Sequence, residues 1–279
     1  MPAQPERGTQ RGSSASELHR HREVAESFGA DSGRYDRARP GYPGALVDRV
    51  VAAIPGPGVL DVGCGTGIAA RQFQAAGCRV LGVDPDARMA DVARQSGVEV
   101  QVARFEAWDP AGRAFDAVIA AQAWHWVDPV AGAAKAAQAL CSGGRLAVFW
   151  NAFQPPGGLR EAFAAIHRQV MPDSPNFWAR PILDAYLTMC DQAAAGIRQA
   201  GGFGDPEQWR FGWDRSYTRD EWLDQVPTLG PHTQLRSATL DALLAGIGAA
   251  IDAAGGSFTM QYTTVAVTAA RNAPDPAMV

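Results

Sequence analysis

The chain predicts an α/β domain with a doubly wound, mostly parallel sheet, and two patterns predict it. Short apolar runs of strand length alternate with helical stretches from Val59 to Trp150; such alternation builds a parallel sheet with helices on both faces. The first run, Val59-Leu60-Asp61-Val62, passes straight into Gly63-Cys64-Gly65-Thr66-Gly67, and a helical segment, Ile68 to Ala76, follows at once. A strand, a glycine turn and a helix start aim free backbone N–H groups at a bound nucleotide, and glycine lets that ligand approach the backbone.

The elements follow in order. Residues 1–15 are rich in Gly, Ser, Gln and Arg and read as a disordered tail. Residues 16–154 read as the ligand-binding core with an N-terminal helical lid. Leu46, Val47, Val50, Val51 and Ile54 mark one apolar helix face, which Pro55-Gly56-Pro57-Gly58 ends. The second strand runs from Cys78 to Asp84, and a helix from Asp86 to Gln95 stops at Gly97. Val98 to Ala103 is the third strand and Phe115 to Ala121 the fourth. Asp128-Pro129 supplies an N-cap and a first-turn proline for a helix up to Leu140, Gly143-Gly144 ends it, and Arg145 to Trp150 is the fifth strand.

After Trp150 the alternation stops. Residues 155–206 hold several prolines, Trp178 and helical stretches such as Leu159 to Val170, and read as an inserted, mostly helical cap. Residues 207–271 complete the sheet. Glu207 to Asp214 is a sixth strand, Thr218 and Glu221 have capping-box spacing, Thr239 to Ala254 is a helix, and Ser257 to Ala269 is the last strand. Residues 272–279 form a tail.

Composition narrows the function. The formal net charge is −4 with 25 Lys and Arg, and no dense basic patch interleaved with aromatics suggests a nucleic-acid partner. Cys64, Cys78, Cys141 and Cys190 form no CxxC pair, which argues against zinc or a disulfide framework and fits a reducing cytoplasm. His19 and His21 sit in a polar stretch and read as a solvated face, and no metal site is expected. The apolar runs are too short to span a membrane, and the N-terminus lacks a signal-peptide core.

The spacing of the turn selects the ligand. A dinucleotide turn places its third glycine at the sixth position, where this chain has Ile68; its third glycine comes early, at Gly67. Asp84 ends the second strand nineteen residues after Gly65, and a carboxylate there can accept hydrogen bonds from two ribose hydroxyls. The motif resembles the first motif of the class I S-adenosylmethionine-dependent methyltransferases. From about Tyr35 to Arg271 the arrangement resembles that family, and within it the bacterial small-molecule branch similar to trans-aconitate methyltransferase. Three stretches carry the closer likeness: Tyr35-Asp36-Arg37-Ala38-Arg39-Pro40-Gly41-Tyr42-Pro43, Ala121-Gln122-Ala123-Trp124-His125-Trp126-Val127-Asp128, and Gln261-Tyr262-Thr263-Thr264.

The resemblance implies a Rossmann-like, seven-stranded sheet whose last strand is antiparallel, and S-adenosyl-L-methionine as cofactor. It implies that Asp61 orients the glycine turn or approaches the cofactor's amino group. Gly63, Gly65 and Gly67 would let the backbone pass under the methionine part, and Asp84 would hold the ribose. Met89 would pack on the adenine, although its spacing suits a core methionine equally. Gln122 joins the cofactor set. Where the family often has an acidic residue for the adenine, this chain has Arg104, so the Phe105 N–H is the expected adenine contact and Glu106 is either a contact or an anchor.

The acceptor side is less determined. Methyl transfer to an oxygen of high pKa needs a base, whereas transfer to a carboxylate does not. His125, just past the fourth strand, is the candidate base, and a histidine packed between Trp124 and Trp126 is the alternative. Tyr35, Arg39, Tyr42, Trp124, Trp126 and Trp178 are the candidate acceptor-site residues. Arg37 and Arg39 suit either an anion or the surface, and the tryptophans suit either a pocket or the core. The leading expectation is methyl transfer to oxygen of a small molecule. An NAD-dependent oxidoreductase and a catalytically inactive cofactor-binding module share the same start.

Overall fold

A computed structural model describes residues 27–273. The expected tails, residues 1–15 and the end of 272–279, lie outside the described residues, as do His19 and His21. The sheet has seven strands in the order β3-β2-β1-β4-β5-β7-β6. Strands β1 (Gly58–Val62), β2 (Arg79–Asp84), β3 (Glu99–Val102), β4 (Phe115–Ala121) and β5 (Leu140–Gln154) run parallel. The last strand, β7 (Ser257–Ala270), enters between β5 and β6 (Glu207–Thr218) and is antiparallel to both. The strand order reverses between β1 and β4, so the crevice beyond their C-terminal ends is where an open α/β sheet binds its ligand.

Strand alternation divides the core. Val59, Ile119, Ala147 and Phe149 face α2 (Gly44–Ala52), α3 (Ile68–Ala75) and α4 (Ala87–Gln95), which cover them with Leu46, Val50, Phe73 and Ala93. Leu60, Val62, Val118, Leu146 and Trp150 face the other way, against α5 (Pro129–Ala139) and α7 (Ile182–Ala200). Local chemistry sets the helix starts. Asp128 accepts hydrogen bonds from the Val130 and Ala131 N–H groups ahead of Pro129. Thr218 and Glu221 complete a capping box for α8 (Arg219–Gln225).

The expected cap, 155–206, divides in two. Its first half holds α6 (Gly157–Val170) and a single turn at Phe177–Ala179, and joins a third apolar cluster with α9 (Ser237–Ala253) and the outer ends of β6 and β7. Its second half, α7, sends Cys190, Ala193 and Ile197 into the main sheet core. Small residues let it sit there: Gly196 packs so closely on Pro129 that a Cβ would lie 2.5 Å from its carbonyl oxygen. The short helix α1 (Ser32–Ala38), capped by Asp31, lies over the ligand side of the sheet and pairs Arg37 with Asp224 of α8. Among the described residues no helix is long and apolar enough to cross a membrane.

Candidate active site

One cavity of about 900 Å³ opens at the switch point, lined from the glycine turn at one end to α7 and the Phe177 turn at the other. The turn holds its shape through backbone groups. The Gly63 and Cys64 N–H groups donate to the Val83 carbonyl, and Asp84 ties the turn to β2. Its Oδ2 accepts from the Gly65 N–H at 2.8 Å and its Oδ1 from the Asp86 N–H at 2.9 Å. A carboxylate has about four acceptor positions, so two remain for a ligand. Burial pushes the Asp84 pKa up to about 6 against those two N–H groups.

The three glycines do different work. Gly65 has a left-handed φ of +55°, and a Cβ there would meet only the Met89 methyl at 3.4 Å. Both residues line the cavity, so Gly65 and Met89 form a cradle that a side chain would fill. At Gly63 a Cβ would lie 2.5 Å from the Ala123 Cβ, so this glycine brings the turns after β1 and β4 together. Gly67, at φ +84°, packs on Ala93 and Val98 and does not line the cavity. It lets α3 close on its neighbours.

Asp61 also lies outside the lining. It is fully buried on the α3 face of β1, and neither oxygen reaches a hydrogen-bond partner. Burial and the charge of Asp84 push its pKa up to about 8. Asp61 is therefore protonated near neutrality and stands beneath the turn rather than in the cavity. Phe105 lines the cavity and packs on Trp108 and Trp124, with centroids 6.4 and 6.3 Å away. Glu106 accepts from the Asp128 N–H at 3.4 Å while also lining the cavity, so it is an anchor at the cavity wall.

The stretch after β4 turns sharply. Gln122 has a φ of +56°, rare for a residue with a side chain. Its N–H donates to the Phe149 carbonyl and its Nε2 to the Asn151 carbonyl. Strain of this kind persists only where neighbours hold it, as at many ligand sites. Asn151, not foreseen from the sequence, is the hub. Its Nδ2 donates to the Gly41 carbonyl and its Oδ1 accepts from Thr264. One residue on β5 thus joins the three stretches that carry the family likeness, two through its buried side chain and the third through its backbone carbonyl.

His125 lines the cavity, its Nδ1 accepting from the Trp150 indole N–H at 3.1 Å. Burial lowers its pKa to about 4. Trp126 packs on the imidazole at 4.6 Å, and Phe28 bridges Trp126 and Tyr35 to roof the cavity. Arg39 lies over the Tyr35 ring at 5.0 Å and donates to the Thr228 carbonyl, with its Nε unpartnered. Among the described residues it has no ion-pair partner.

Three expected acceptor residues lie elsewhere. Trp124 is 2 % exposed and packs beneath the cavity against Phe105, because Gly132 leaves room for its indole. Trp178 is 1 % exposed and belongs to the third cluster, among Phe153, Phe163 and Trp222. Tyr42 packs edge-on against Phe149, and burial raises its pKa. Large aromatics do not declare from spacing whether they face a pocket or a core. In their place α7 contributes Ile182, Ala185, Tyr186 and Met189. That i, i+3, i+4, i+7 stripe was legible as a helix face, but nothing in it said that the face met a cavity.

A glycine cradle beside a two-acceptor carboxylate at a sheet switch point defines a nucleoside-binding α/β domain. Comparison with known proteins defines the family. A methyltransferase domain family matches residues 60–148. An uncharacterized methyltransferase of Mycobacterium tuberculosis is 38% identical over 132 residues, 47% of this chain and 54% of its own length, so the chain spans about half the length of that relative. The malonyl-[acyl-carrier protein] O-methyltransferase of Enterobacter lignolyticus is 32% identical over 171 residues, 59% of this chain and 67% of its own. A structure from Anaeromyxobacter dehalogenans, described as a type II methyltransferase, superposes with a TM-score of 0.61 at 25% identity. That match covers 84% of this chain and 97% of the other.

The chain belongs to the class I S-adenosylmethionine-dependent methyltransferases, and S-adenosylmethionine is its cofactor. The residues present fit it. The Gly65–Met89 cradle admits a ligand, and Asp84 keeps two acceptor positions open.

Proposed function

We propose that the chain transfers a methyl group from S-adenosylmethionine to an oxygen of a small molecule held under Phe28, Tyr35 and Trp126. The observation that carries this is continuity: Gly65 and Asp84 line the same 900 Å³ cavity as Arg39, His125 and Tyr186. Oxygen is favoured by the name of the Enterobacter relative and by Arg39, a cation open to an acidic acceptor. Bound S-adenosylmethionine supplies the electrophilic methyl, and its thioether leaves with the carbon–sulfur bonding pair.

The protein's share is orientation and the exclusion of water. Asp84 holds the ribose hydroxyls. Met89 and Phe105 close on the adenine, and Gln122 fixes the turn between the two halves of the cavity. The aromatic roof keeps the reacting end dry. The Gly41, Gln122 and Thr264 contacts around Asn151 support the small-molecule branch similar to trans-aconitate methyltransferase. The free thiols Cys64, Cys78, Cys141 and Cys190 support a reducing, cytoplasmic setting.

Calorimetry with S-adenosylhomocysteine, followed by a labelled-methyl screen of carboxylates, phenols and sugars, tests the reading. Binding with turnover of an oxygen acceptor is expected. Absence of binding would overturn it, and binding without turnover on any class would favour the inactive binding module.

A further inference from the structure

We propose that His125 presents a fixed Nε2–H to the methyl acceptor, holding it as a hydrogen-bond donor and leaving its proton alone. This rests on the reading of the cavity as the acceptor site. An indole N–H can only donate. Trp150 Nε1 lies 3.1 Å from His125 Nδ1, so Nδ1 carries the lone pair there. A neutral imidazole has one N–H, and it therefore sits on Nε2.

For Nε2 to take a proton it would first have to lose its own. Nδ1 would then carry the hydrogen and face the indole N–H. Trp150 cannot turn aside, because it is fully buried on β5 in the α5/α7 core. Among the described residues Nε2 has no partner, and it is not among the buried unpartnered atoms, so it stays accessible in a residue that lines the cavity.

The surroundings agree. Burial lowers the imidazole pKa and none of the lining carboxylates Asp84, Asp86 and Glu106 offsets it, while the positive charges of the lining Arg39, Arg104 and Arg180 can only act in the same direction as burial. Tyr186 offers no base, since burial raises its pKa. The cavity thus selects acceptors that arrive ionised. The class is an oxygen acid deprotonated near neutral pH, with one oxygen on the His125 Nε2–H and its charge matched by Arg39. This inverts the role expected of His125 from the sequence.

Long-range proton–nitrogen correlation spectra of the full labelled chain, recorded with S-adenosylhomocysteine from about pH 5.5 to about pH 8.5, read the ring directly. Loss of a signal in His125→Gln identifies it; if that variant does not fold, the signal that moves in Trp150→Phe does. Protonated Nε2, bare Nδ1 and no titration in this range are expected. A protonated Nδ1, or an imidazolium forming between about pH 6 and 8, would overturn the proposal. The ring state is equally readable in the ligand-free protein, so failure of S-adenosylhomocysteine to bind would strike the proposed function and leave this assignment measurable.

Kinetics on the acceptor returned by the screen give a second reading. His125→Ala should lose about 10–100-fold in kcat/KM, mostly through KM, and His125→Gln, whose amide still donates, should stay within about tenfold of the native enzyme. A Gln variant as inactive as Ala, with a native rate that falls as the imidazole protonates, would make His125 a base.

Discussion

The two ends of the cavity are built from different material. The cofactor end is shaped mainly by backbone: a glycine turn, two amides on the Asp84 carboxylate and a reversed strand order, all standing on the sheet core, with Met89 and Phe105 beside it. The acceptor end is side chains: an aromatic roof from Phe28, Tyr35 and Trp126, one stripe of α7, and the Phe177 turn that leans on the third apolar cluster. Backbone geometry tolerates few substitutions, whereas side chains on helices and turns can be exchanged over an unchanged scaffold. On the proposed reading, one end serves a fixed cofactor and the other sets which acceptor is taken.

The sharpest way to break that contrast is to give the backbone end a side chain. Gly65→Val puts a β-branched residue at φ +55°, strained for any L-residue, and fills the space beside Met89. Loss of S-adenosylhomocysteine binding by more than about 100-fold is expected in calorimetry, from steric exclusion. Normal binding by a folded variant would move the cofactor elsewhere. Asp84→Ala comes next. It removes two ligand hydrogen bonds to a charged acceptor, each worth about 1.5–3 kcal/mol when made, and should weaken binding at least about tenfold. Because Asp84 also holds the Gly65 and Asp86 N–H groups, Asp84→Asn separates the effects: it keeps one acceptor oxygen for the turn and should bind between the two.

What the sequence disclosed follows the same division. Strands, glycine turn, Asp84 and the Asp128 and Thr218 caps are set by neighbours in the chain, so spacing alone exposes them. The antiparallel last strand came from the family likeness, and the sheet has it. Trp124 and Trp178 read as pocket residues and lie in cores, because the difference depends on Gly132 and on Phe163, which are distant or on other helices. Asn151 was invisible for a similar reason. Its partners Gly41, Gln122 and Thr264 are brought to it only by the finished sheet.

The two halves of residues 155–206 offer an intermediate test. The Pro172–Pro175 stretch is exposed and leads into a single helical turn beside the cavity, whereas α7 buries Cys190, Ala193 and Ile197 in the sheet core. Amide exchange around Phe177 should be at least about tenfold faster than in α7, and should slow when S-adenosylhomocysteine and an acceptor are both bound, as lids drawn from less stable regions do. Equal protection in both halves, unchanged by ligands, would make the segment a fixed wall.

The last test asks whether the cofactor end rests on a neutral support. Asp61 has a pKa of about 8 in the folded chain against 3.8 for an exposed aspartate. Between those values the unfolded chain is ionised at this site and the folded chain keeps its proton. The folded state then binds more protons, so this group lowers stability as pH rises from about 4 to about 8, and the loss is complete above the folded value. Asp84 adds a slope of the same sign that ends near its own value of about 6, which leaves the upper part of the window to Asp61. Asp61→Asn has the same shape and cannot ionise. Urea unfolding of the two proteins at intervals from pH 5 to 8 should show the variant gaining on the native chain as pH rises, by on the order of 1 kcal/mol per pH unit at most. A difference that does not change with pH would mean that Asp61 is already ionised in the folded chain, held by a partner beneath the turn; the cofactor end would then carry two charged carboxylates instead of one.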